Sequence, residues 1–238
     1  MTGQPNTADA AIGVGFDFDH TLGVDHGLER RALYAYADEL GHPLDPDDAA
    51  WRRRAEELLA AFRAGTIEAD AMIGTFSAML GARGADTERW REHCYGLVDE
   101  LVTPIAGACE LLERLRAGGL PVRILTNGWT PLQQKKIARA LGDDALASNA
   151  LVSDLLHAVK PERAAFDALV AALGVPRERC WYVGDNARGD VGGALAAGLR
   201  AVWFDWEGEA YPSDLPPPTL RVTMLRELET LVENGNAP

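Results

Sequence analysis

Asp17 and Asp19 stand with one residue between them where the apolar run from Ile12 stops, in "GVGFDFDHTL". Further polar groups stand beside comparable runs: Thr126 in "ILTNG", Lys160 in "VKPE", and Asp185 with Asp190 in "VGDNARGD". Carboxylates such as Asp17, Asp19 and Asp185, brought to neighbouring strand ends, repel one another and raise one another's pKa unless a cation lies among them. Oxygen donors with room for water suit Mg2+, which favours octahedral coordination and usually keeps several waters. Beside such an ion a carboxylate can attack a phosphoryl group and form an aspartyl-phosphate. A second carboxylate two residues on can protonate the leaving oxygen and later activate water. The Thr126 hydroxyl and the compact ammonium of Lys160 suit the remaining phosphoryl oxygens.

Such groups act together only if the fold brings them to one edge. Ile12 to Phe16, Leu120 to Asn127, Arg179 to Asp185 and Leu199 to Asp205 are short β-branched or aromatic runs of the kind found inside a parallel sheet. Helical patterns separate them. "GACELLERLRAGG" carries Cys109, Leu111, Leu112 and Leu115 on one side, and "KPERAAFDALVAALGVP" places Phe166, Leu169, Val170 and Leu173 on an apolar stripe before Gly174. "TPLQQKKIARALG" offers Thr130 as N-cap, Pro131 at the first helical position and Gly142 after the end. The alternation predicts an α/β fold with a doubly wound, Rossmann-like parallel sheet, whose ligands bind at the carboxyl ends of the strands.

Between the first two strands the pattern changes. From about Gly27 to Val102 only helical stretches occur, such as "GLERRALYAYADEL", "PDDAAWRRRAEELLAAFRAG" and "DTERWREHCYGLVDEL". This is too long for one crossover, so residues 23–102 are expected to form a separate helical domain and residues 1–22 and 103–238 the core. The Pro-rich "YPSDLPPPT" is expected as a surface loop before a short strand and the helix "TMLRELETLVE". Disorder is expected in the first ten residues and in "NGNAP".

The 238 residues carry a formal charge of -13, which argues against a nucleic-acid partner held by broad attraction. No apolar stretch is long enough to span a bilayer, and "MTGQPNTADA" lacks the features of a signal peptide. A cytoplasmic protein with no membrane partner is expected. Cys94, Cys109 and Cys180 form no CxxC pair and read as buried, reduced thiols.

Taken singly, the signals have ordinary readings as turn residues, a strand-end hydroxyl or a solvated loop lysine. Their order and shared edge give them weight together. With "DFDHT", "LTNG", "VKP" and "GDNARGD" in succession, the chain resembles the haloacid dehalogenase-like hydrolase superfamily. The resemblance implies Asp17 as nucleophile and Asp19 as general acid and base, with Thr126, Asn127, Gly128 and Lys160 binding the substrate phosphate. It implies Mg2+ held by Asp17, Asp19 through its main-chain carbonyl, Asp185, and Asp190 directly or one step behind. Family members that release halide lack an aspartate at the position of Asp19, and those cleaving phosphonates usually carry alanine there. The resemblance thus implies a phosphatase acting on a small phosphorylated metabolite, with the helical insert as a cap. A phosphomutase, or a ligand-binding member without chemistry, are the alternatives.

Other residues carry weaker signals. His26, His42, His93 and His157 show no ligand spacing and suit surface or capping roles. Arg52, Arg53 and Arg54 read as a solvated helix face, and Trp51 and Trp90 as core of the helical region. Trp129 and Arg188 lie in the second- and fourth-motif loops, where a substrate could touch them, and His20 could alter pH dependence or bond to a loop.

Overall fold

The computed structural model describes residues 12–229. The expected disorder at the two ends, and the last helix beyond Glu229, lie outside the described residues. Within that range the chain divides into two compact units, Asp25–Val102 and the remainder.

The larger unit begins with β1 (Gly13–Phe16), and β2 (Gly23–Val24) follows. The helical unit comes next, with α1 (Leu28–Glu39), α2 (Ala49–Arg63), α3 (Ala69–Leu80) and α4 (Thr87–Leu101). The chain returns through β3 (Thr103–Pro104), α5 (Ala108–Ala117), β4 (Val122–Thr126), α6 (Leu132–Leu141) and α7 (Asp144–Ser148). It continues as β5 (Leu151–Val152), α8 (Ser153–Leu156), α9 (Arg163–Leu173) and β6 (Cys180–Gly184). A π-helical turn (Ala187–Gly192), α10 (Gly193–Ala196), β7 (Arg200–Phe204), β8 (Leu220–Val222) and a 3-10 turn (Leu225–Glu229) complete it.

The sheet has six strands in the order β5-β4-β1-β6-β7-β8, and every pairing is parallel. After β1 the chain builds outward to β4 and β5, then crosses to β6 and builds the other way. The reversal lies beside β1, where ligands of open α/β sheets bind.

Alternation along β1 explains its glycines. Val14 and Phe16 fill one face with bulk, whereas Gly13 and Gly15 meet α9 on the other. A Cβ at Gly15 would stand 2.6 Å from a Leu169 methyl, so only glycine lets the helix lie this close. Phe166, Leu169 and Leu173 of α9 pack there with Leu125, Cys180, Tyr182, Ala201 and Trp203, one residue in two along their strands.

Thr130 does not cap α6. Its N–H and its hydroxyl donate to the two oxygens of Asp154, at 2.7 and 2.8 Å, and Pro131 occupies the N-cap position without a side-chain bond. A cap must accept from the first turn, and the Thr130 hydroxyl is spent on Asp154 instead. The short β2 and β3 pair antiparallel, so Gly23 and Val24 lie with the sheet unit. Cys94 and Cys180 are buried, Cys109 is half-buried, and none of the three is in a disulfide.

In the helical unit Trp90 is fully buried and meets Phe62 edge-on, while Trp51 is half-buried against Phe76. Arg52, Arg53 and Arg54 are exposed. His93 bonds Glu39 at 2.8 Å, and His157 ends α8 in the left-handed conformation. Among the described residues no helix is long and apolar enough to cross a membrane.

Candidate active site

The polar groups singled out from the sequence converge on the carboxyl edge at the reversal. Asp17 follows β1, Thr126 ends β4, and Asp185 follows β6. Parallel register brings these ends together, since Phe16 sits opposite both Ile124 and Val183. Asp190 comes from the π-helical turn and Lys160 from the loop before α9.

Lys160 is the centre of the cluster. Its Nζ donates to Asp17 Oδ1 at 2.6 Å, Asp190 Oδ1 at 2.7 Å and the Tyr182 hydroxyl at 2.9 Å, all buried. Tyr182 in turn donates to the Leu125 carbonyl at 2.7 Å. Burial alone would lower the Lys160 pKa, but Asp17 and Asp190 outweigh it and hold the ammonium well above its usual range.

Asp17, Asp185 and Asp190 each bring an oxygen to within 4.8 Å of the others. Burial pushes Asp17 well above the usual carboxylate range; Lys160 opposes this, and Asp190, Asp185 and Asp19 add to it. Asp185 is pushed up to about 6, by burial first and Asp190 next, against His20 and Lys160. One ammonium among three crowded carboxylates leaves the cluster short of positive charge. An all-oxygen donor set of this kind fits a hard divalent cation.

Local structure fixes each group. Thr21 Oγ1 bonds Asp185 Oδ1 at 3.3 Å and accepts from the Asp185 N–H at 3.1 Å. The Asn186 N–H donates to Asp190 Oδ2 at 3.0 Å, while Asn186 Oδ1 accepts from the N–H groups of Arg188 and Gly189 and caps the π-helical turn. Gly184 makes room for Asp190, because a Cβ there would lie 2.4 Å from its Cγ. Gly184→Ala is therefore expected to displace that carboxylate and destabilise the protein by about 1–3 kcal/mol. Denaturant titration against the native protein checks this.

The second-motif loop is held from within. The Asn127 amide donates to the Lys160 carbonyl at 3.1 Å and accepts from the Lys160 N–H at 2.9 Å. The Gly128 N–H donates to Ser153 Oγ at 3.0 Å. The side chain of Asn127 and the N–H of Gly128 thus tie loops together, while Lys160 stands at the cluster itself and the Thr126 hydroxyl, at the neighbouring strand end, meets Gln133 at 2.8 Å.

Asp19 is placed differently from the other three aspartates. Its carboxylate is not one of the oxygens clustered with Asp17, Asp185 and Asp190, and it turns instead to Gln133 and Lys136 of α6. Sequence reading did not single out these two residues, nor Tyr182. A signal was present, because the apolar stripe Leu132, Ile137 and Ala140 puts positions 133 and 136 on the buried side of that helix. His20 adopts φ 61, gives its N–H to the Gly23 carbonyl at 2.7 Å and stacks on Trp206. Arg188 pairs with Asp214 at 2.9 Å in solvent, and Trp129 is half-buried.

The family model for haloacid dehalogenase-like hydrolases matches residues 13–198. Over 203 residues the chain is 34% identical to the phosphoserine phosphatase of Thermus thermophilus, covering 82% of this chain and 77% of that protein. It is 31% identical over 160 residues to the pyrimidine 5'-nucleotidase YjjG of Escherichia coli, covering 67% and 70%. An (S)-2-haloacid dehalogenase of Pseudomonas fluorescens is 27% identical over 134 residues, covering 56% and 58%. Among solved structures, the protein YfnB of Bacillus subtilis, bound to magnesium, superposes with a TM-score of 0.71 at 22% identity, over 93% of this chain and 98% of that one. With more than half its length inside the family model, the chain belongs to the haloacid dehalogenase-like hydrolase family.

Proposed function

We propose that the protein is a Mg2+-dependent phosphatase that hydrolyses a small phosphomonoester through an aspartyl-phosphate at Asp17. The observation that carries this reading is the second carboxylate, Asp19, at the same strand end as the clustered Asp17. A departing halide needs no proton, whereas a departing alkoxide does. Aspartate at this position therefore favours phosphate esters over the dehalogenation carried out by some relatives.

In the first step an Asp17 oxygen bonds to phosphorus, the bond to the leaving oxygen breaks, and Asp19 gives that oxygen its proton. In the second step Asp19 takes a proton from water, the water oxygen bonds to phosphorus, and the Asp17–phosphorus bond breaks. Thr126 and Lys160 hold the other phosphoryl oxygens, and Lys160 also orients Asp17. Asp17, Asp185 and Asp190, with the Asp19 carbonyl, would hold the Mg2+, which supplies positive charge that keeps Asp17 ionised and offsets charge on the phosphoryl group.

The helical unit Asp25–Val102 is read as the cap that selects the leaving group, and its motion would gate turnover. A cytoplasmic setting and a small metabolite as substrate, with neither nucleic acid nor membrane as partner, complete the reading.

The test is phosphate release from a panel of sugar phosphates, nucleoside monophosphates and phosphorylated acids, with and without Mg2+, beside chloride release from 2-chloropropionate. Mg2+-dependent phosphate release is expected. Chloride release without phosphate release would overturn the assignment.

Metal binding has its own signature. Asp185 ionises near pH 6 in the folded chain, against about 3.9 for an unperturbed aspartate. The folded state therefore binds more protons between those values, and this group's contribution to stability falls as pH rises through that window. A bound cation favours the ionised carboxylates and reverses the loss. Addition of Mg2+ is expected to raise Tm more at pH 7 than at pH 5, and equal increments would contradict the site.

A further inference from the structure

Gln133 and Lys136 lie one turn apart on α6, and both are almost fully buried although both are polar. Lys136 Nζ bonds Asp19 Oδ1 and lies 5.9 Å from the centre of the Phe18 ring. Gln133 Nε2 lies 2.7 Å from Asp19 Oδ2, 2.8 Å from Thr126 Oγ1 and 3.2 Å from the Asn127 carbonyl. Each oxygen of Asp19 is thus held by a different side chain of one helix, and one amide joins Asp19 to Thr126.

We propose that Gln133 and Lys136 are positioning residues that clamp the Asp19 carboxylate for proton transfer and set it in register with Thr126. The role rests on the reading of Asp19 as the acid and base of phosphomonoester hydrolysis. A buried polar side chain is costly unless it is bonded, and at these positions an apolar residue would continue the stripe of α6. Asp19 itself is 31% exposed, so without the clamp water would compete for its oxygens and its side chain would sample other staggered rotamers. Proton transfer needs the carboxylate within hydrogen-bond reach of the leaving oxygen, and a small misplacement can cost about 10^2-fold in rate. The clamp leaves room for the chemistry, since each carboxylate oxygen has a second lone pair.

The experiment measures Lys136→Met, Lys136→Arg and Gln133→Leu, each alone and combined with Asp19→Asn, on a series of aryl and alkyl phosphates with Mg2+. For alkyl phosphates kcat/KM, which reports formation of the intermediate, is expected to fall about 10^2-fold in Lys136→Met and Gln133→Leu. The loss should shrink for aryl phosphates, whose leaving group needs little protonation. Lys136→Arg, which keeps the cation, should recover part of it. In the Asp19→Asn background Lys136→Met should add nothing, because the proton carrier it positions is gone, and Gln133→Leu should keep only the part of its loss that passes through Thr126.

Losses that are equal across leaving groups, or that persist in full beside Asp19→Asn, would overturn the role. So would unaltered kcat/KM in both single variants. If Lys136→Met does not fold, Gln133→Leu still decides the matter. Absence of phosphate release from the native protein would overturn the phosphatase reading and this role together, whereas release with uncoupled variants would overturn the role alone.

Discussion

Asp17→Asn should leave a folded protein whose phosphate release is lower by about 10^4-fold or more. The carboxamide has nearly the size of the carboxylate and keeps an oxygen that can accept from Lys160, so the local packing has no reason to change. It lacks the charged oxygen that bonds to phosphorus in the proposed mechanism. Stability should not fall, since the change removes one of three crowded carboxylates, the one whose pKa is driven well above its usual range. Phosphate release and a melting curve on the same preparation check both halves. An Asp17→Asn protein that turns over at the native rate would remove the aspartyl-phosphate from the mechanism.

Lys160→Met should damage stability and activity together. The ammonium is bonded to two carboxylates with almost no exposure, side-chain values being 5% for Lys160, 8% for Asp17 and 2% for Asp190. Removing it strands two buried like charges, and breaking a buried pair in this way costs about 3–5 kcal/mol. The sign with pH follows. Burial already holds Asp17 above the usual carboxylate range, and loss of the opposing cation makes it easier still to protonate when folded, so the deficit is largest at neutral pH and shrinks as the pH falls. Mg2+ should restore part of the stability. Activity should drop by at least about 10^3-fold even where the variant is folded, because Lys160 orients Asp17 and, in the proposed mechanism, meets the phosphoryl oxygens. Chemical denaturation at pH 7 and pH 5, each with and without Mg2+, separates the two effects. A native-like midpoint at pH 7 would show that Lys160 does not neutralise the cluster.

The central strands and their carboxyl-edge residues were legible in the sequence. Apolar runs that end in a charge have one economical place in an α/β protein, and the order Asp17, Thr126, Lys160, Asp185 follows the order in which the chain visits that edge. The four central strands predicted from those runs match β1, β4, β6 and β7 to within two residues at either end. The edge strand β5 was not visible, because two residues, Leu151 and Val152, are too short to show a period. Thr130 misled as a cap because the competing acceptor, Asp154, stands 24 residues away and only the fold brings it near.

The sequence by itself determined which polar groups stand at the carboxyl edge, since residue type and strand-end position are local properties of the chain. Tertiary structure alone decided how those groups are shared. It gave Lys160 to both Asp17 and Asp190, kept Asp19 out of the carboxylate cluster, and supplied Gln133 and Lys136 to hold it from 114 and 117 residues away. The apolar stripe of α6 marks positions 133 and 136 as facing inward, but which group they meet there depends on strand order, which no local pattern encodes.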